Sequence, residues 1–134
     1  MTRSEQREEV LLLTFEKTFH NESIDEIIEL AKQLRGEKIN DYIESEVKGI
    51  FDNIEKIDKL IEEHSIGWKI SRIPRVNLCI MRICIYEMMF EDTVPTGVAI
   101  NEAVELCKKY SSDEDKKFVN GVLGTVAKDV KKKE

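Results

Sequence analysis

The sequence predicts an all-α fold of about seven helices. Apolar residues recur at intervals of three and four along most of the chain, whereas no segment shows the alternation of a half-buried strand. The 134 residues are 41% hydrophobic and 36% charged, with only two prolines and six glycines. This composition is typical of a globular protein, and the length suits one domain with a real core. We therefore predict a single helical domain over residues 1–134.

The N-terminal half contains three predicted helices. Residues 4–20 form the first, and Ser23 is expected to cap the second because a glutamate stands at the capping-box position three residues later. The second helix ends at Gly36. The third covers residues 40–64, with apolar positions that step by threes and fours, and Gly49 is the candidate position for a bend that would split it in two.

The next helix is predicted to lie at the centre of the fold. Residues 68–72 form a connector, and Pro74 suits the first turn of a helix that continues to about Phe90. This helix is apolar nearly all round, as expected of a helix surrounded by others. Arg82 lies within it, and a buried guanidinium must be paired or reach solvent.

Two further helices complete the prediction. Thr96 follows a proline and is the candidate cap of a helix over residues 98–110. Ser112 precedes three acids, and the last segment ends in lysines 131–133. Acids at the start and lysines at the end match the dipole of one final helix.

Asn120-Gly121 is a strong hairpin signal inside that final segment. The flanking apolar residues nevertheless recur at helical spacing and do not alternate, so we predict that the helix continues through this dipeptide. Gly121 and Gly124 each cost the helix about 1 kcal/mol relative to alanine. Two such glycines suggest that another helix crosses closely there.

The charge pattern limits the classes of ligand. A net charge of −6 argues against a general nucleic-acid binder. Acids outnumber bases by 21 to 13 in residues 1–103, whereas bases outnumber acids by 8 to 6 in residues 104–134. No acid lies between Glu63 and Glu87, although that interval holds four bases. We expect any anion to be held at one place, with weak long-range steering.

The sequence also allows predictions about cellular compartment, cofactors and catalytic activity. No apolar run is long enough to span a membrane, and MTRSEQREE lacks the apolar segment of a signal peptide, which predicts a cytoplasmic protein. The three cysteines are odd in number and have no CxxC spacing, so we expect buried, inert thiols. With two isolated histidines we expect no metal. No phosphate loop or catalytic motif is present, so we predict no cofactor and no enzymatic activity.

Two short segments are candidates for nucleic-acid contact. Arg3 and Arg7 lie four residues apart at the start of the first helix, where a phosphate would also meet free backbone N–H groups. The alternative is a pair of solvated arginines. Lys116, Lys117 and Phe118 place two cations beside an aromatic ring, which suits single-stranded RNA if Phe118 is exposed. The alternative is that Phe118 belongs to the core.

Two other groups of polar residues lie among apolar positions of the predicted helices. Arg75, Arg82 and Glu87 are proposed to form a partner-binding surface on the central helix, with a structural pair between Arg82 and a carboxylate as the alternative. Asn101 and Glu102 interrupt apolar positions. They would either form a buried hydrogen-bonded link or face water.

Three successive stretches of the C-terminal half resemble the NusB family. These are IMRICIYEMMF, VPTGVAINEAVELCKKY and KKFVNGVLGTV, and the strong similarity covers about residues 68–126. The resemblance implies two three-helix bundles packed roughly at right angles. The N-terminal bundle would cover about residues 1–65 and the C-terminal bundle about residues 68–134.

The resemblance also implies a function. Members of this family are transcription antitermination factors that bind boxA-type single-stranded RNA together with NusE, a small-subunit ribosomal protein, and join RNA polymerase with other Nus factors, notably on ribosomal RNA operons. The arginine-rich N-terminus of the family corresponds here to Arg3 and Arg7, and its KF dipeptide to Lys117 and Phe118. The alternative is a protein–protein scaffold, or a homodimer, with the same fold and little RNA binding.

Overall fold

The computed structural model describes residues 1–130, and within them the chain forms seven α-helices, two short 3₁₀ turns and no strand. This confirms the all-α prediction. Lysines 131–133, expected at the end of the last helix, lie outside the described residues. The helices are α1 (Arg3–Lys17), α2 (Ile24–Arg35), α3 (Asp41–Asp52), α4 (Ile54–His64), α5 (Arg75–Phe90), α6 (Thr96–Tyr110) and α7 (Asp113–Asp129).

The helices belong to two compact units. In the first unit, Met1–Asp52, α1, α2 and α3 contact one another. The second unit starts at Asn53, and in it α5, α6 and α7 pack together while α4 contacts α5 and α7. The boundary therefore lies one helix earlier than the sequence-based boundary near residue 65, because α4 makes its contacts with the helices that follow it.

Local signals position most of the helix ends in the first unit. Ser23 caps α2 through a capping box with Glu26, and Gly36 ends that helix with a φ of 58°. The long third helix of the sequence prediction is two helices, as the bend implied. The break is at Asn53, however, and Gly49 lies inside α3.

In the second unit, α5 is the central helix, as predicted. The side chains that it buries come from nearly all round the helix, and the buried apolar ones are Leu78, Cys79, Ile80, Met81, Ile83, Cys84, Ile85 and Met88. Pro74 directly precedes α5 at the N-cap. Thr96 is the first residue of α6 and makes no capping hydrogen bond, so its predicted capping role was wrong; Pro95 holds the N-cap position.

The last helix runs without interruption through Asn120 and Gly121, which confirms the helical interpretation of that dipeptide. Ser112 caps it, with Oγ accepting a hydrogen bond from the backbone N–H of Asp115 at 3.1 Å. The expectation of a closely crossing helix was wrong. A Cβ added at Gly121 or at Gly124 would meet nothing within 4 Å, so neither glycine is required by packing.

All three cysteines are buried and unbridged, as expected. Burial raises the pKa of the Cys107 thiol to about 11, which keeps it protonated and unreactive at neutral pH. Within residues 1–130 no cluster of three or more histidine, cysteine or acidic side chains could hold a metal ion. None of the described helices is long and apolar enough to cross a membrane.

Candidate nucleic-acid interface

Arg3 is an exposed cation at the start of α1, and its guanidinium carbon lies 3.7 Å from the centroid of the Tyr42 ring in α3. This distance defines a cation–π contact, which restricts a flexible side chain while leaving it at the surface. Sequence spacing gave no sign of Tyr42, because the contact joins two helices that are distant in the chain. A guanidinium that is already oriented loses less entropy when it binds a phosphate.

Arg7 does not share that exposure. Only 4% of its surface is accessible, so the side chain lies in the interior of the first unit. Arg7 stands three and four residues before Val10 and Leu11, and it therefore falls on the apolar stripe that α1 buries. The predicted exposed pair of arginines is not formed, and Arg7 is not placed to contact a phosphate.

The carboxylate of Glu5 already lies at the N-terminus of α1. Thr2 Oγ1 accepts a hydrogen bond from the backbone N–H of Glu5 at 3.0 Å, and the Glu5 carboxylate accepts one from the N–H of Thr2 at 2.7 Å. This capping box uses two of the N–H groups expected to meet a phosphate, and it places a negative charge at the positive end of the helix. The Arg3 side chain is therefore the candidate phosphate-binding group of the first unit.

Lys116 and Lys117 line a cleft between α6 and α7 with a volume of about 380 Å³. Lys117 is exposed, and Lys116 is half-buried with its Nζ 3.9 Å from the exposed Asp113 carboxylate. An exposed pair at that separation is weak. The lining of the α6–α7 cleft is Gly97, Ile100, Asn101, Val104, Lys116, Lys117 and Asn120.

Phe118 lies in a different cavity from the two lysines. Its ring packs edge-on against Trp68, with centroids 5.8 Å apart and planes inclined at 63°. This second cavity, of about 270 Å³, is lined by Trp68, Arg72, Ile73, Pro74, Asn77, Glu114, Asp115 and Phe118. Phe118 is half-buried, so it fits neither a fully buried core position nor an open stacking platform. The structure thus separates the KKF segment into two environments.

The central helix offers little of the predicted partner surface. Arg82 donates from Nε and Nη2 to the two carboxylate oxygens of Asp58, each at 2.9 Å, which is the structural pair considered as the alternative. Glu87 is only 1% exposed. A helix enclosed by its neighbours buries even its charged residues, so Arg82 and Glu87 are not available as a surface. Arg75 remains exposed at the start of α5.

The two asparagines of the α6–α7 cleft were not identified as site residues from the sequence. Asn101 is exposed, so of the two alternatives, a buried hydrogen-bonded link or a position facing water, it takes the second. In the sequence Asn120 belongs to the Asn120-Gly121 turn signal. Its spacing of three and four residues from Lys117 and Lys116 would have placed all three on one face once the helix was accepted.

Comparisons with known proteins agree on one family. The NusB family model matches residues 35–128. The transcription antitermination protein NusB of Agathobacter rectalis is 44% identical over 138 residues, which cover 95% of this chain and 100% of that protein. T. maritima NusB superposes with a TM-score of 0.86 at 31% identity, covering 96% of this chain and 92% of that one. A chain from the crystal structure of antitermination factors NusB and NusE in complex with dsRNA superposes with a TM-score of 0.83 at 28% identity. The match covers 95% of this chain and 96% of that one.

Proposed function

The chain belongs to the NusB family, and we propose that it is a transcription antitermination factor that binds boxA-type single-stranded RNA together with NusE. The observation that carries this proposal is the 44% identity, over 95% of the chain, to a transcription antitermination protein. In this role the protein joins RNA polymerase and other Nus factors in the cytoplasm, notably on ribosomal RNA operons. It acts by binding and catalyses no reaction.

The electrostatics favour an adaptor that shares its RNA with a partner. A net charge of −6 gives little general attraction for a polyanion, so phosphate contacts must be local. When two linked proteins each contribute modest contacts, the second contact is effectively intramolecular, and the pair binds more tightly than either alone. NusE supplies the second set of contacts in this proposal.

The RNA-contacting residues that we propose are Arg3, Lys116, Lys117 and Phe118. Arg3 is exposed and oriented by Tyr42, and the two lysines line the α6–α7 cleft. The burial of Arg7 argues against its direct contact with a phosphate, so we leave it out of the proposed set. For partner binding we retain only Arg75, whose exposed cation at the start of α5 suits the charged rim of a protein interface.

A protein scaffold with little RNA binding is the second candidate function. It is favoured by the first unit, in which Arg7 is buried and the Glu5 carboxylate lies at the N-terminus of α1. These two features reduce the positive potential that a phosphate would meet there. A homodimer that covers the RNA surface belongs to the same class.

Fluorescence anisotropy of a labelled boxA RNA distinguishes the two functions. The RNA is titrated with this protein alone, with NusE alone and with both, at several salt concentrations. Tighter binding by the pair, with a log–log salt slope of about −0.7 per phosphate contact, supports the antitermination factor. Binding of NusE without any gain in RNA affinity supports the scaffold.

One variant makes this experiment residue-specific. Arg3→Ala is expected to reduce the magnitude of the salt slope of the pair by about 0.7, because one phosphate contact is lost. Lys38→Ala is the matched control, since it removes an exposed cation of the same unit from the 3₁₀ turn that follows α2. Equal slopes for the two variants would remove Arg3 from the interface.

A further inference from the structure

The α6–α7 cleft combines three kinds of chemistry on two adjacent helices. On α6 the lining residues recur at helical spacing, and on α7 Lys116 and Asn120 lie one turn apart beside Lys117. The volume of about 380 Å³ lies within the range of roughly 300–1,000 Å³ that small-molecule sites occupy. The cleft is thus large enough for one planar heterocycle with its attached sugar.

The apolar part of the lining suits the face of a nucleobase. Ile100 and Val104 are half-buried and lie one turn apart on α6. Gly97, which is exposed on the same stripe, has no atom within 4 Å of where its Cβ would stand. A flat ring can therefore approach α6 closely and cover apolar surface there.

The polar part of the lining suits the edge of a base. Asn101 and Asn120 are both exposed, and each carboxamide offers a donor and an acceptor side by side. A carboxamide is one of the side chains that read base edges, with the adenine edge as its best-known partner. In single-stranded RNA the unstacked bases leave these edges open.

Charge distinguishes this cleft from the neighbouring cavity. Lys116 and Lys117 supply two cations, and among the described residues no carboxylate lines the α6–α7 cleft. The Trp68–Phe118 cavity has one cation, Arg72, against two carboxylates, Glu114 and Asp115, so the formal charge of its lining is negative and disfavours phosphate. A phosphate brought to the start of α7 therefore meets more favourable charge beside the two lysines than beside Glu114 and Asp115.

We propose that the α6–α7 cleft binds one unstacked nucleotide of the RNA, with Asn101 and Asn120 contacting the base edge and Lys116 and Lys117 contacting the phosphate. This inference rests on the proposed function and adds two specificity-determining residues to it. An acidic peptide would satisfy the lysines equally well. It would leave the paired carboxamides and the apolar floor without the planar partner that they fit, so RNA is favoured.

The test compares three labelled single-stranded RNAs, the dodecamers of adenylate, cytidylate and uridylate, bound by the full chain together with NusE. The key variant is Asn101→Ala combined with Asn120→Ala. Both positions are exposed in helices, where alanine is the better helix former, so the variant is expected to fold. In the wild type, the base preference is the ratio of dissociation constants between the weakest-bound and the tightest-bound of the three RNAs. In the variant this ratio should be about tenfold smaller, because one good base-edge contact contributes about that much discrimination. The salt slope should stay unchanged.

A second variant separates base contacts from phosphate contacts. Lys116→Ala combined with Lys117→Ala should weaken binding of all three RNAs to a similar extent and reduce the magnitude of the salt slope by about 0.7 per lysine. Lys128→Ala is the charge control, because Lys128 is exposed on α7 and lines neither cavity. Gln33→Ala is the carboxamide control, on the exposed surface of α2.

Several results would overturn the inference. The inference fails, and the proposed function survives, if the wild-type pair binds RNA without base preference or if the asparagine variant keeps that preference. Loss of NusE binding by the lysine variant, with no change in RNA contacts, would identify a protein-binding cleft instead. If the wild-type pair binds none of these RNAs and no boxA RNA, the proposed function fails as well.

Discussion

Arg82 of α5 and Asp58 of α4 form a two-point ion pair, in which Nε donates to Oδ1 and Nη2 to Oδ2, each over 2.9 Å. The two side chains are 11% and 25% exposed, so water screens the pair only in part. The geometry is the parallel fork that a guanidinium makes with a carboxylate. This ion pair explains how Arg82 is accommodated in a helix that is apolar on nearly all sides.

Removing the carboxylate of this pair should destabilise the protein. Asp58→Ala is expected to lower the free energy of unfolding by about 3 kcal/mol, because the Arg82 charge is left largely buried without its partner. Urea denaturation measures the change. Glu62→Ala, at an exposed position of the same helix, should stay within about 0.5 kcal/mol of wild type. Equal effects of the two variants would show that Arg82 is solvated without Asp58.

His64 is held between two acceptors within the second unit. Its Nδ1 lies 2.8 Å from the Leu60 carbonyl oxygen, and its Nε2 lies 2.6 Å from a carboxylate oxygen of Asp129. A neutral imidazole has one N–H, so only the protonated ring donates to both. The Leu60 carbonyl is the largest cause of a raised His64 pKa; burial opposes the shift, and the Asp129 carboxylate adds to it.

This raised pKa predicts a pH-dependent stability. Because the folded-state value lies above the ordinary value of 6.5, the extra stability is fully present below pH 6.5 and is lost as the pH rises through the folded pKa. Asp129→Asn should therefore cost more stability near about pH 5.5 than near about pH 8.5. The difference should stay below about 1 kcal/mol, since the Asp129 side chain is 67% exposed.

NMR titration measures the same group directly. In a His20→Gln background only the His64 imidazole remains, since the chain has two histidines. Its midpoint should lie above 6.5, and it should fall in the Asp129→Asn variant, because one acceptor of the protonated ring has lost its charge. An unchanged midpoint would mean that Asp129 does not hold the ring.

The glycines of α7 should tolerate alanine. Gly121→Ala and Gly124→Ala are each expected to raise the free energy of unfolding by about 1 kcal/mol, because the added methyl group meets no neighbour and alanine favours the helix. Thermal melts followed by circular dichroism measure this. Gly67→Ala is the contrasting variant, since its φ of 80° should make alanine cost about 1–2 kcal/mol. A loss of stability at Gly121 would reveal a close contact there.

The Trp68–Phe118 contact should appear as a coupling energy. Phe118→Ala is expected to lower the melting temperature by several degrees, because a half-buried ring loses its packing. The double variant Phe118→Ala with Trp68→Ala should lose less free energy of unfolding than the two single variants lose in sum. The difference should be about 0.5–1.5 kcal/mol, the usual value of an edge-to-face pair. Strict additivity would show that the two rings are independent. RNA measurements on Phe118→Ala therefore need a stability control.

Local chemistry was readable from the sequence. The period of the apolar residues, the capping box at Ser23 and the end of α2 at Gly36 all depend on residues within one turn of each other. The apolar character of α5 on nearly all sides likewise predicted its central place. Three motifs in residues 68–126 were enough to indicate the family, because their order and spacing form a long joint match.

Only the tertiary structure decided which side chains reach the surface. Arg3 and Arg7 look equivalent in the sequence, yet α3 places Tyr42 beneath one, and packing buries the other. Lys117 and Phe118 are adjacent in the chain but belong to different cavities, because successive residues of a helix point about 100° apart. Helical spacing determines which residues share a face of their own helix. Which faces are covered depends on contacts between segments far apart in the chain. Those contacts decided the partners of Arg82 and Phe118 and the exposure of Asn101.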